Sequence, residues 1–230
     1  QICYQNGVKN FIFSSTGSVY GNVNQSNINE KQKAFPINPY SKSKLMTENF
    51  LKKINFKNKI KIITLRYFNV AGADKDLRSG QVTNPDNLIQ AICEYIVGKR
   101  KKFTINGDNY HTKDGTAIRD YIHVSDLANI HYIVSKKLLN LRKNYFYDVF
   151  NCGYGRGHSV LDIVKQAEKT IRKKIKFNIG PRRQGDLATS VANVDKFKKK
   201  FGWKPKFNNL NTIIGSALKW EKKLKSKKID

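Results

Sequence analysis

The segment Asn38-Pro39-Tyr40-Ser41-Lys42-Ser43-Lys44 sets a tyrosine and a lysine four residues apart, just after a proline. That spacing puts both side chains on one face of a newly started helix. A phenol, with an unperturbed pKa of about 10, is a poor base at neutral pH. An ammonium one turn away stabilises the phenolate and draws that pKa down. Tyr40 could then take a proton from a sugar or alcohol hydroxyl, with Lys44 as its electrostatic support. The same pair standing alone would be an ordinary helix surface, so its surroundings decide what it means.

Those surroundings alternate between strand and helix. Asn10 to Thr16 (NFIFSST) is a short apolar strand running into hydroxyl residues, and Gly17-Ser18-Val19-Tyr20-Gly21 reads as a turn. A polar loop (Asn22 to Phe35) leads to a helix from about Pro39 to Ile54 and a strand from Ile60 to Tyr67. Alternation of this kind predicts a parallel sheet covered by helices. Ligands of such sheets sit beyond the carboxyl ends of the strands, where Thr16 and Phe68-Asn69 fall.

Further along, the patterning predicts an amphipathic helix from Asn84 to Gly98 and extended pieces at Phe103 to Ile105, Arg119 to His123 and Tyr147 to Asn151. Helices are expected over Ser125 to Leu139, Val160 to Ile171, Val194 to Phe201 and Asn211 to Leu224, with Ser125 and Asp126 as the N-cap of the first of these. Residues 1–84 thus read as sheet-and-helix and residues 85–230 mainly as a smaller α+β lobe, with room for the chain to cross back. The glycine cluster Gly153-Tyr154-Gly155-Arg156-Gly157 follows a strand and precedes a helix, but its spacing is G-x-G-x-G and His158 stands where a third glycine would be needed, so a dinucleotide turn is not expected there.

Composition narrows the classes. The 230 residues are 39% apolar, enough for a real core. Lys and Arg number 44 against 17 Asp and Glu, a net charge of +27. The cations are spread along the chain beside helix ends, without the aromatic interleaving of an RNA-binding surface, so a solvated face is expected and no specific nucleic acid. Three cysteines (Cys3, Cys93, Cys152) without a C-x-x-C point to a reducing compartment, the cytoplasm. The four histidines lack metal-ligand spacing, and no apolar run is long enough for a membrane span.

A strand ending in Ser/Thr, a loop, and then Tyr-x-x-x-Lys is the active-site order of the short-chain dehydrogenase/reductase superfamily. Leu65-Arg66-Tyr67-Phe68-Asn69-Val70-Ala71-Gly72, Gly115 to Val124 (GTAIRDYIHV) and Pro181-Arg182-Arg183-Gln184-Gly185-Asp186 follow in order. Together these resemble the UDP-glucose (UDP-galactose) 4-epimerases, extended members of that superfamily, from the first residues to about Trp220. The resemblance implies an α/β fold: the C-terminal part of a Rossmann-type parallel sheet plus a smaller UDP-sugar lobe. It also implies a homodimer built through the helices flanking Tyr40. No Gly-rich NAD-binding turn occurs before Phe11, and Gln1 to Gly7 reads as the end of a helix with Gly7 near its C-cap. The expectation is therefore the later part of a longer enzyme.

By the same resemblance NAD is the cofactor and a UDP-hexose the substrate. Tyr40 is the base toward the sugar 4'-hydroxyl, Lys44 supports it and touches the nicotinamide ribose, and Thr16 hydrogen-bonds the same hydroxyl. Phe68 packs against the cofactor through its backbone. Asn69, Asn87 and Leu88 match positions around the sugar diphosphate, Arg119 and Arg183 match the arginines that clamp the pyrophosphate, and Asp186 matches a ribose contact. Thr16-Gly17-Ser18 carries no acid of the kind found in nucleotide-sugar dehydratases, which favours epimerisation. Ser190 stands where some epimerases carry a bulky Tyr, which implies room for the N-acetyl group of UDP-GlcNAc or UDP-GalNAc.

Overall fold

The computed structural model describes residues 2–21, 23, 26–57, 59–82 and 87–227, without the side chains of residues 4, 56 and 57. A short helix α1 (Ile2–Gln5) ends at Gly7, whose φ of 75° is the left-handed turn that frees the chain to enter β1 (Asn10–Thr16). Helix α2 (Pro39–Lys57) returns the chain to β2 (Lys61–Tyr67), which pairs parallel with β1 in the register Asn10↔Lys61 to Thr16↔Tyr67. β2 is buried over Ile62 to Arg66, as expected for a central parallel strand covered on both faces. β3 (Asn69–Ala71) then leaves this sheet after Phe68.

Next come α3 (Leu88–Ile96), β4 (Thr104–Asn106), β5 (Ile118–His123) and α4 (Val124–Leu139). β6 (Phe146–Cys152) brings the chain back to the first sheet, parallel to β2 from Lys61↔Phe146 to Tyr67↔Cys152. The three strands thus end level at Thr16, Tyr67 and Cys152. Beneath one face lie Leu51 of α2 with Ile60 and Ile62; on the other, Ile63, Leu65 and Phe150 pack on Ile130 and Val134 of α4 and on Phe197 of α6 (Asp195–Phe201). Each such side chain withdrawn from water contributes about 1.5–3 kcal/mol, which makes this two-sided cover the main support of the strand ends.

The rest of the chain, β7 (Gly157–Ser159), α5 (Val160–Ile171), β8 (Asn178–Gly180), β9 (Thr189–Ser190) and α7 (Leu210–Ser226), builds the lobe. Its sheet centres on β5, which pairs parallel with β3 and β9 and antiparallel with β7, while β4 and β8 form a separate parallel pair. α3, α5 and α7 close over Ile89, Ile92, Ile163, Ile213 and Leu218. The expected division between residues 84 and 85 and residues 84–86 of the helix expected from Asn84 lie outside the described residues; α3 itself begins at Leu88, with Asn87 as its N-cap.

One cap differs from expectation. α4 starts at Val124, and its N-cap is His123, whose Nδ1 accepts from the Ser125 amide at 3.1 Å; Ser125 lies inside the helix. The His123 ring is fixed for this task by stacking on Phe207 and by Ser216 at 3.0 Å from Nε2.

Candidate active site

Asn38 fixes the start of α2. Its side-chain oxygen accepts from the Ser41 amide at 2.8 Å, and Pro39 at the first helical position has no amide to leave unpaired. With the start fixed, Tyr40 and Lys44 share one face. Lys44 Nζ lies 5.7 Å from the Tyr40 ring centroid and 5.2 Å from that of Phe13, and it donates to the Ser14 carbonyl at 2.9 Å. The ammonium is therefore anchored on the last turn of strand before Thr16, and Tyr40 beside it is 57% exposed.

What holds α2 in this rotation was not read from the sequence. Glu48 continues the stripe of Tyr40 and Lys44 by one further turn and is 2% exposed. It accepts from Ser15 Oγ at 2.5 Å and from Arg66 Nε at 3.1 Å and a terminal guanidinium nitrogen at 2.5 Å. Arg66 lies 4.8 Å from the Tyr20 ring centroid, and Tyr20 donates to Asn151 at 2.7 Å. Burial alone would lower the guanidinium pKa, yet the Glu48 hydrogen bonds and charge hold it above its ordinary value. The signal was present in the i, i+4, i+8 series Tyr40, Lys44, Glu48 and in Ser15 and Arg66, each next to a strand-end residue.

Thr16 caps the short turn Gly17 to Tyr20, its Oγ1 accepting from the Ser18 amide at 3.2 Å. It lines a cavity of about 260 Å³ together with Tyr67, Phe68, Asn69, Asp186 and Ser190. The Phe68 ring is buried against Gly17, where a Cβ would stand 2.9 Å from it, and the Phe68 amide donates to the Cys152 carbonyl at 3.0 Å. A second cavity of about 330 Å³ is lined by Asn69, Asn87, Leu88, Asn106, Arg119, Arg183 and Asp186, among others. Asn69, Arg119 and Asp186 belong to both, so the two are one cleft narrowed at the Arg119–Asp186 ion pair of 3.4 Å.

Within the cleft, Arg119 is oriented by the Ile118 and Leu187 carbonyls at 2.9 and 2.6 Å. With its amide oxygen turned to the guanidinium, Asn106 accepts from Arg183 Nε at 2.8 Å. Neighbouring Arg182 has a different task, stacked 4.2 Å from the Tyr110 ring centroid and donating to Asn109 at 2.7 Å. The Asn87 amide is engaged too: its oxygen caps α3 by accepting from Ile89, and its nitrogen donates to the Val70 carbonyl. It thereby turns the N-terminus of α3, with its partial positive charge, toward the wall bearing Leu88, Arg119 and Arg183. Two guanidinium groups and a helix N-terminus on one wall are chemically suited to hold a diphosphate.

The residue after Arg119 faces the opposite side of β5. Asp120 accepts from the amides of Tyr154 and Gly155, both at 2.9 Å, and of Ala192 at 3.3 Å. A Cβ on Gly153 would stand 2.5 Å from its carboxylate. The glycine cluster therefore cradles the chain's own carboxylate. Among the described residues no group of His, Cys, Asp and Glu side chains could hold a metal ion, and no helix is long and apolar enough to cross a membrane.

Residues 2–214 match the family model described as GDP-mannose 4,6 dehydratase. A UDP-glucose 4-epimerase of Azospirillum brasilense is 43% identical over 96% of this chain and 63% of its own length. The chain thus spans a little under two thirds of that relative. The crystal structure of UDP-glucose-4-epimerase from Stenotrophomonas maltophila, with bound NAD and formylated UDP-arabinopyranose, is 33% identical with a TM-score of 0.91, over 98% of this chain and 67% of that one. The UDP-Glc/GlcNAc 4-epimerase of Campylobacter jejuni is 40% identical with a TM-score of 0.78, over 96% of this chain and 67% of that one.

Proposed function

The chain belongs to the UDP-glucose 4-epimerase family, within the group matched by the GDP-mannose 4,6 dehydratase model, and from that premise we propose that it carries the catalytic and UDP-sugar-binding part of an enzyme interconverting UDP-glucose and UDP-galactose. The observation that carries the reading is the Lys44 ammonium, anchored on the Ser14 carbonyl beside Tyr40, at the strand ends that open into the Arg119–Arg183 cleft. Tyr40 takes the proton of the sugar 4'-hydroxyl and returns it after the 4-keto sugar has turned over. Thr16 Oγ1 shares that hydroxyl, Arg119 and Arg183 hold the diphosphate, and Asp186 exchanges Arg119 for a ribose hydroxyl. NAD, when bound, supplies the reversible hydride acceptor for C4'. The residues fit its nicotinamide end: Ser14 and Tyr40 are exposed, Lys44 is half-buried, and all three are polar, over a floor closed by Phe68 on Gly17.

Epimerisation is favoured over dehydration because, among the described residues, the Thr16-Gly17-Ser18 end of the cleft has no carboxylate; the described acid that lines this cavity, Asp186, is paired with Arg119. Ser190 on the same wall leaves space at the sugar C2 substituent, and we extend the substrates to the N-acetylated pair. Met46 and Phe50, 72% and 56% exposed one turn apart on α2, support a homodimer through that helix. The three unpaired cysteines support a cytoplasmic setting.

Conversion of UDP-glucose to UDP-galactose with added NAD, measured beside UDP binding by calorimetry, tests the proposal. We expect turnover that Tyr40→Phe abolishes by at least about a hundredfold while UDP affinity holds. UDP binding without turnover would reduce the chain to a sugar-nucleotide-binding unit. Ser190→Tyr should remove conversion of the N-acetylated sugars selectively; an equal fall for both pairs sinks the extension.

A further inference from the structure

Tyr67 closes β2 at the rim of the cavity lined by Thr16, and its side chain reaches the helix on the other face of the sheet from α2. Its hydroxyl stands 2.7 Å from Ser14 Oγ and 2.6 Å from Nε2 of His131 on α4, with the two rings edge to face at 5.6 Å. His131 Nδ1 lies 2.9 Å from the Leu127 carbonyl one helical turn back. A carbonyl can only accept, so Nδ1 carries the hydrogen and, in the neutral ring, Nε2 is the acceptor. The one phenolic proton of Tyr67 thus has two acceptors in reach, Ser14 Oγ and His131 Nε2, and the phenol ties the end of β1 to α4. Burial pushes the Tyr67 phenol up to about 12, against the Ser14 hydrogen bond, so the proton stays on oxygen at neutral pH.

Ser14 is the hinge of this arrangement, because its carbonyl is the acceptor of the Lys44 ammonium. We propose that Tyr67 and His131 are positioning residues for the Tyr40–Lys44 pair: through Ser14 they pin the end of β1 from the face opposite α2, and so set where the ammonium rests. The functional consequence rests on the epimerase reading; the hydrogen-bond chain itself does not. Positioning at the level of an ångström is worth one to two orders of magnitude in rate, whereas sugar-nucleotide binding depends on Arg119 and Arg183, in the other part of the cleft.

The test has two readouts. Imidazole nitrogen correlation spectra of the chain should show His131 as a single Nδ1–H tautomer, with Tyr67→Phe giving a tautomer mixture and moving the Ser14 amide signal. In the NAD-loaded protein, Tyr67→Phe and His131→Leu should each lower kcat about tenfold while KM for UDP-glucose stays within about twofold. An Nε2–H tautomer in the parent chain, a Tyr67→Phe spectrum unchanged at His131 and Ser14, or a kcat untouched in both variants overturns the proposal. If the parent protein shows no turnover, the epimerase reading fails alone, and the spectra decide whether the chain from His131 to Ser14 exists.

Discussion

Glu48 and Asp120 are both sealed from solvent, and they are satisfied in opposite ways. Glu48 meets a full charge: Arg66 approaches it through two nitrogens and Ser15 adds a hydroxyl. Asp120 meets three backbone amides. The first arrangement locks a helix to a sheet, which sets the rotation of Tyr40 and Lys44. The second locks a strand to two loops, which sets the register from which Arg119 enters the cleft. A paired charge loses most when one partner goes, and an amide cradle when its acceptor turns into a donor.

Removing the Glu48 charge is therefore the severest break. Glu48→Gln leaves Arg66 as a buried guanidinium without a counter-charge, and we expect a loss of about 3–5 kcal/mol in unfolding free energy by urea titration. A loss under about 1 kcal/mol would mean that Arg66 finds water or another acceptor and that α2 is placed by its apolar contacts alone.

Asp120→Asn keeps the shape and sharpens the contrast. Either orientation of the new amide sets an N–H against an amide N–H of Tyr154, or against those of Gly155 and Ala192, and we expect about 2 kcal/mol of destabilisation. Its pH dependence has a definite sign. Burial outweighs the three amides and pushes the Asp120 carboxyl up to about 6, from an ordinary value near 4. The folded state then binds the proton more tightly than the unfolded chain, so this stabilisation is complete below about pH 4 and is lost as the pH rises through 6. The gap between parent and variant should thus be widest near pH 4 and narrow toward pH 7. A gap that widens instead would show that the amides hold the carboxylate ionised.

The two carboxylates also mark how far the sequence could be read. β1, α2 and β2 fall within a few residues of expectation because an apolar run and a Pro start are local signals, and the Tyr40–Lys44 spacing needs only the period of one helix. Glu48 is on the same helix, but its partners Ser15 and Arg66 are brought to it by the parallel pairing of β1 with β2, which no local pattern encodes. Asp120 follows Arg119 in the sequence without a local signal of its own, and its cradle comes from loops more than thirty residues away. The glycines at 153 and 155 could be rejected as a dinucleotide turn from their spacing, while their actual reason, room for a carboxylate, is a tertiary contact. Side chains of the Ser and Asp type are the usual caps, which points to Ser125 with Asp126 for α4. His123 replaces it because Phe207 and Ser216 hold an imidazole nitrogen where the Ser125 amide needs an acceptor.

Ser15→Ala is the mildest way to probe the same comparison. It removes one hydroxyl from Glu48 and leaves the ion pair with Arg66 intact, so no charge is stranded. A hydrogen bond to an ionised group is worth about 1.5–3 kcal/mol, and we expect the lower end because Arg66 still engages both carboxylate oxygens. In the double variant with Glu48→Gln the two losses should fall short of their sum by about 1 kcal/mol, since the hydroxyl acts only through the carboxylate. Strict additivity would mean that Ser15 stabilises the end of β1 on its own account, and that Glu48 holds α2 through Arg66 alone.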